Sequence, residues 1–292
     1  MGRLKLFLDS CDPADTQKAI KLLGSIDGQT TNPTLLTKNP EIQQYLIQGK
    51  KLTLIELLSL YKQAIEGIAR YTDGAISIEV YADWNTTASE MLKQAQVMQS
   101  WSSNGYIKFP TIPEGLKAAN EFTKLAGHAN MTLVFDQQQA AAVYSATRYT
   151  QGTSFVSPFV GRLDDRGLYG LDIIRNIRTM YDTFNKLNGR KSGHVEILAA
   201  SIRTLDHMYG AIAFGTDIIT APISLYQQWL TDGSKIPTIP PPKPDILKHI
   251  DYEQIKYSED FASYSIDRSE TGLLNQGLMK FAKDWNTVID NT

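Results

Sequence analysis

Cysteine is almost missing from this chain. Cys11 stands alone among 292 residues, so no internal disulfide can form, and a reducing compartment, the cytoplasm, is expected. No apolar run approaches the roughly 18 residues of a membrane span, and the start, Met1-Gly2-Arg3-Leu4-Lys5, lacks the apolar centre of a signal peptide. Neither sign of charge dominates. With 29 basic and 31 acidic residues, a net charge of −2 and no long run of one sign, neither nucleic acid nor a membrane is expected as a partner. His128, His194, His207 and His249 are scattered without ligand spacing, so no metal and no other cofactor is expected. No Gly-x-Gly-x-x-Gly follows the first strand and no phosphate-loop motif occurs; Gly161, Gly167 and Gly170 have the wrong spacing. That argues against a nucleotide-binding open sheet.

What the chain does have is a regular alternation of short β-rich runs with longer helical patterns. Strands are expected at Leu4–Leu8, Ile26–Thr31, Ala75–Tyr81, Gly105–Pro110, Asn130–Phe135, Thr153–Val156, Val195–Ala200 and Asp217–Thr220. Helices are expected between them: from Pro13 to Leu23, over Thr34–Gln48 and Leu52–Tyr71, over Thr86–Trp101, Gly115–Leu125 and Gln138–Thr147, then Gly170–Leu187, Leu205–Phe214 and Leu225–Leu230. Eight strands, each followed by a helix, is the count of a (β/α)8 barrel, an α/β fold that commonly takes about 250 residues. Residues 1–230 would form that barrel. Residues 231–292 differ: Lys235–Pro244 holds five prolines in ten residues, a stiff extended connector, and a last helix, Gly272–Val288, places Leu274, Leu278, Phe281 and Trp285 on one side. That apolar face must be covered, either by the chain's own barrel mouth or by a neighbouring subunit; self-association as a homo-oligomer is the expectation.

Lys108 is the residue around which a function can be read. Tyr106, Ile107 and Phe109 favour a strand, Pro110 ends it, and Thr111 with Glu114 has the spacing of a capping box that would start the next helix. The lysine therefore sits at the carboxyl end of a barrel strand, the end where such folds do chemistry. It reads either as a solvated rim cation or as a Schiff-base amine able to attack a carbonyl.

Other polar residues recur at alternate positions near the strand ends and so face the barrel interior. These are Thr30 and Asn32, Ser77 and Glu79, and Asn130 and Thr132, with Asp9 closing the first strand. Burying so many polar groups for structure alone would be costly. Arg162 follows strand six, and Ser201 with Arg203 follows strand seven. An arginine fork with a serine hydroxyl at the last strands of a barrel suits an oxyanion such as phosphate.

Several segments, in order, resemble the transaldolase family. They are Leu6-Phe7-Leu8-Asp9, Asp27-Gly28-Gln29-Thr30-Thr31-Asn32-Pro33, Ile78-Glu79-Val80, Ile107-Lys108-Phe109-Pro110, Asn130-Met131-Thr132-Leu133-Val134-Phe135, Ser157–Arg162 with Leu163-Asp164-Asp165, and Ala199-Ala200-Ser201-Ile202-Arg203. The resemblance implies a class I aldolase-type barrel in which Lys108 forms a Schiff base with a ketose. It further implies that Asp9 acts as an acid/base group, and that Glu79 holds a water with Thr132 and relays protons. Asn32 and Asn130 would orient the dihydroxyacetone portion, with Thr30, Ser77, Ser157 and Phe159 lining the substrate. Arg162, Ser201 and Arg203 would bind the phosphate of a sugar phosphate. At Glu79 and Phe159 the chain has the transaldolase choice, where fructose-6-phosphate aldolases have glutamine and tyrosine. It departs from the family at Ser10-Cys11, at Asp136, and in the proline-rich insertion.

The leading reading is a transaldolase moving a dihydroxyacetone unit between sugar phosphates. A fructose-6-phosphate aldolase, or a transferase acting on a sulfo-sugar, is the alternative within the family. A sugar-phosphate-binding barrel without turnover, and a scaffold recruited through the proline-rich segment, are alternatives of other classes.

Overall fold

The computed structural model describes residues 3–189 and 193–290. Eight parallel strands close into a barrel in strictly sequential order, the last pairing with the first. They are β1 (Lys5–Asp9), β2 (Gly28–Thr30), β3 (Ala75–Glu79), β4 (Gly105–Pro110), β5 (Ala129–Val134), β6 (Ser154–Pro158), β7 (Val195–Ala199) and β8 (Ile218–Ala221). The expected barrel is the observed one.

The helices begin where local chemistry tells them to. In α1 (Pro13–Leu23), Asp12 accepts from Ala14 N at 2.9 Å and Pro13 takes the first helical position, where its missing N–H costs nothing. The long helix expected after β2 is instead two, α2 (Pro33–Thr37) and α3 (Pro40–Ile47), because Pro40 has no N–H to continue a helix and Asn39 caps a new one. Next come α4 (Leu54–Ala69) and α5 (Ala88–Gln99), each opened by a full capping box, Thr53 with Glu56 and Thr87 with Glu90.

The box expected at Thr111 and Glu114 does not form. Thr111 is still an extension of β4: its backbone N–H and its hydroxyl both donate to Thr132 O, at 2.9 and 2.8 Å. Helix α6 (Pro113–Lys124) is instead preceded by Ile112 and begins two residues ahead of the expected Gly115, and Glu114 accepts from Ala88 N and pairs with Lys117.

The remaining helices are α7 (Gln137–Ala146), the short α8 (Val160–Asp164), α9 (Leu171–Leu187), α10 (Leu205–Ala213) and α11 (Ile223–Thr231). The arm after α11 runs along the barrel wall without regular structure apart from a 3-10 turn at Phe261–Ser263. It is tied to α9 through Asp172, which accepts from Ile250 N at 3.0 Å and contacts His249 Nδ1 at 2.7 Å. Leu247, Ile255 and Tyr264 anchor it in the same apolar core as the barrel helices.

The last helix, α12 (Leu273–Val288), lies across α2 and the end of β5. Leu274, Leu278, Phe281 and Trp285 are all buried there, and Trp285 packs between Tyr61 and Tyr81. The apolar face is thus covered within one chain. Gly277 allows the close approach, since a Cβ at that position would meet Leu133 Cδ2 at 2.7 Å. Leu133 itself has φ 60°, at a register shift between β5 and β6. That bulge falls immediately after Thr132 and so bends the strand end beside the barrel mouth.

Candidate active site

The strand register sets the carboxyl ends of β1 to β5 side by side. Asp9 pairs with Thr30, Thr30 with Ser77, Glu79 with Lys108, Lys108 with Asn130, and Pro110 with Thr132. Lys108 is 3 % exposed, and its Nζ lies 3.0 Å from Glu79 Oε2 and donates to Thr31 O at 3.2 Å. Burial drives the Glu79 carboxyl from 4.5 up to about 7, against the pull of Lys108 in the opposite direction. Apart from the contact with Lys108, Glu79 Oε2 has no hydrogen-bond partner among the described residues, and neither has the fully buried Thr132 Oγ1. Glu79 also lines a pocket of about 10 Å3 walled by Leu278, Phe281 and Ala282, the scale of a single water.

Asp9 accepts from Thr30 Oγ1 at 2.8 Å, and Thr30 in turn is 2.5 Å from Thr220 Oγ1. Desolvation raises the Asp9 carboxyl above the ordinary aspartate value, with Lys108, Thr30 and Lys38 opposing. On the other side of Lys108, Ser157 Oγ donates to Asn130 Oδ1 at 2.7 Å and Asn130 Nδ2 donates to Ser77 Oγ at 2.9 Å. This fixes which way the amide faces and links β3, β5 and β6 across the barrel interior. Asn32 caps α2 through Leu35 N at 2.9 Å, so its side chain serves the fold as well as the mouth.

A cavity of about 490 Å3 opens above Lys108. Of the residues singled out from the sequence, Asp9, Thr30, Asn32, Lys108, Ser157, Phe159, Arg162, Ser201 and Arg203 line it. Ser77, Glu79, Asn130 and Thr132 lie in the buried layer around Lys108 instead. The two arginines differ. Arg162, in α8, is half-buried, makes no ion pair among the described residues, and is held below the usual arginine value first by burial and then by Arg203. Arg203 is exposed and forks onto Asp165, Nη1 to Oδ1 at 2.8 Å and Nη2 to Oδ2 at 2.9 Å. It lies over Gly161, where a Cβ would meet Arg203 Nε at 2.7 Å. Ser201 has φ 55°, a left-handed turn that starts the loop carrying Arg203.

Sequence reasoning missed Thr34, Lys38, Lys280 and Phe281, all of which line the cavity. It also missed Tyr61, whose hydroxyl accepts from Glu79 N at 2.9 Å and lies 2.6 Å from Thr31 Oγ1. The Thr31 proton goes to Ser77 O at 2.7 Å, so the tyrosine donates to Thr31 and locks the ends of β2 and β3 together. Helical periodicity placed Tyr61 nowhere in particular; only its depth in α4 marks it.

The profile of the family described as Transaldolase/Fructose-6-phosphate aldolase matches residues 6–292. The chain belongs to that family. A probable transaldolase of Brucella ovis is 35% identical over 219 residues, covering 75% of this chain and 85% of that protein. One of Clostridium tetani is 35% identical over 227 residues, covering 78% and 90%. Among solved structures, a phosphoenolpyruvate phosphomutase from Streptomyces platensis has a TM-score of 0.49 at 9% identity, covering 80% of this chain and 81% of that one, too loose a likeness to bear on function. Among the described residues no group of three or more His, Cys, Asp and Glu gathers as a metal would need, and no helix is long and apolar enough to cross a membrane.

Proposed function

We propose that this chain is a transaldolase, carrying a dihydroxyacetone unit from a ketose phosphate such as fructose 6-phosphate or sedoheptulose 7-phosphate to an aldose phosphate. That places it in the pentose phosphate pathway, and the single buried cysteine fits a cytoplasmic setting. The observation that carries the reading is the buried Lys108–Glu79 pair, 3.0 Å apart, with Lys108 at the floor of a cavity whose rim holds an arginine that has no ion pair among the described residues.

A carboxyl titrating near 7 can both take a proton from Lys108 and give one back. Lys108 Nζ, relieved of its extra proton, attacks the ketose carbonyl carbon. Glu79 returns a proton to the resulting hydroxyl, which leaves as water, and an iminium remains. Asp9, its basicity raised by desolvation, removes the proton of the C4 hydroxyl. The C3–C4 bond then breaks, its electron pair passes to the iminium to give an enamine, and the aldose phosphate departs. An acceptor aldehyde enters, the enamine carbon attacks it, and Asp9 protonates the new alkoxide. Water, re-entering with help from Glu79 and Thr132, hydrolyses the iminium and frees the product. Asn32, Asn130 and Ser157 orient the three-carbon unit, while Arg162, Ser201 and Arg203 hold the phosphate. Phe159, edge-to-face with Phe135 at 5.7 Å, offers no hydroxyl to this scheme, which favours transfer over free cleavage.

Borohydride reduction in the presence of fructose 6-phosphate tests the reading. Mass spectrometry should find the reduced adduct on the peptide containing Lys108, and Lys108→Ala should lose both adduct and activity while keeping the fold. Trapping of another lysine at wild-type yield would refute it.

A further inference from the structure

The C-terminal helix does more than close the apolar core. Lys280 and Phe281 of α12 line the same cavity as Arg162, Ser201 and Arg203. Lys280 Nζ is held there by Asp284, at 2.9 Å from Oδ1 and 2.8 Å from Oδ2. Asp284 Oδ2 in turn accepts a hydrogen bond from Thr34 Oγ1, and Thr34 lines the cavity from the start of α2. The helix is fixed in place by Leu274, Leu278 and Trp285 and by the close approach of Gly277 to Leu133. Asp284 also lies near enough to Arg162 for its charge to act on that guanidinium. The Lys280–Asp284 pair thus shares the mouth with the arginines.

We propose that Lys280, supplied by the C-terminal helix, is a further phosphate-binding residue, gripping the anionic end of the sugar phosphate together with Arg162 and Arg203. The proposal rests on the transaldolase reading for the identity of that anion. The rim carries Arg162, Arg203, Lys38 and Lys280 against the carboxylates of Asp165 and Asp284, an excess that matches a phosphate dianion. Lys280 is half-exposed, so exchanging Asp284 for a phosphate oxygen costs it little. Asp284, kept in place by Thr34, holds the ammonium at the rim between turnovers. The long proline-rich arm then has a use: it is the length of chain that brings this lysine back over its own barrel.

The full-length protein is the right material, with inorganic phosphate as the binding probe and fructose 6-phosphate as the substrate. Lys280→Met, which keeps the apolar stem, is expected to weaken phosphate binding and raise KM by about tenfold, the low end of what a charged hydrogen bond contributes. Lys280→Arg should restore binding to within about twofold of wild type, as a charged donor of similar reach would. Lys283→Met removes the same charge from the same helix, outside the cavity, and should leave both quantities as in the wild type. Arg162→Ala is run beside them. If Arg162→Ala weakens phosphate binding and Lys280→Met does not, the role of Lys280 is overturned while the site reading stands. If neither does, or if the wild type binds no phosphate, the phosphate site falls and Lys280 with it.

Discussion

Glu79→Gln should change the way stability depends on pH, by an amount that follows from the burial of that one carboxyl. In the unfolded chain the group titrates near 4.5, and in the folded protein at about 7. A carboxyl with a raised folded-state value holds its proton more tightly when folded. Its stabilising contribution is therefore complete below 4.5 and is lost as the pH rises through 7. Integrating the proton linkage between pH 5 and pH 8 gives a loss of roughly 2–3 kcal/mol in the wild type from this residue. Glutamine mimics the protonated form and cannot titrate. Urea unfolding of both proteins at pH 5, 6, 7 and 8 reads the effect of the Glu79–Lys108 site, because groups remote from it, such as Asp136 at about 6, cancel in the difference. The glutamine variant should gain roughly 2–3 kcal/mol on the wild type across that range. Parallel curves would mean that Glu79 is ionised throughout, and that Lys108 outweighs desolvation at this pair.

Arg162→Ala should cost phosphorylated substrates about 1.5–3 kcal/mol in kcat/KM, the worth of a charged hydrogen bond. Arg203→Ala should cost less, because Arg203 must first release Asp165; equal losses on phosphorylated and unphosphorylated donors would make both arginines structural. Glu79→Gln combined with Phe159→Tyr should shift the balance from transfer towards free aldol cleavage, read as aldose phosphate released with and without an acceptor, and an unchanged ratio counts against the assignment. Trp285→Ala should destabilise the protein by about 3–5 kcal/mol, since the indole is buried between Tyr61 and Tyr81, and a loss under 1 kcal/mol would place α12 elsewhere in solution.

Much of this was legible in the residues because the barrel repeats one local rule. Several strand runs end on a polar residue or proline, and several helices open on a side-chain cap, so Lys108 and Glu79 could be placed towards strand ends without tertiary information. What failed was context. Thr111 and Glu114 have the capping-box spacing, but Thr111, just past the end of β4, gives both its N–H and its hydroxyl to Thr132 O. The break between α2 and α3 is written in Asn39-Pro40, where Pro40 cannot carry on the helix expected over Thr34–Gln48. The bulge at Leu133 carries no glycine to announce it: a leucine takes the positive φ there, with its side chain against Gly277 of α12. The cavity-lining role of Lys280 and Phe281 depends on a helix about 170 residues from Lys108 returning over the mouth, and no local pattern encodes such a contact.

The arrangement also shows where the cost of the site is met. Lys108, Glu79 and Thr132 bury charge and unpartnered oxygen in the middle of the fold, and each such group opposes folding by a few kcal/mol. Their neighbours are held from outside the mouth. Tyr61 clamps the ends of β2 and β3 through Thr31 and the Glu79 amide, while Ser157 and Ser77 fix Asn130 from both sides. Trp285 then packs on Tyr61, so the helix that forms the cavity wall also presses on the residue that sets the backbone of Glu79. Displacing α12 would therefore loosen Glu79 as well as remove Lys280, and a chain cut before α12 should lose the elevated titration of Glu79 even where the barrel itself persists. Tyr61→Phe separates the two effects: it keeps the apolar contact with Trp285 but removes the hydroxyl that Glu79 N and Thr31 share, so the β2–β3 clamp and the proton relay should suffer while α12 stays in place.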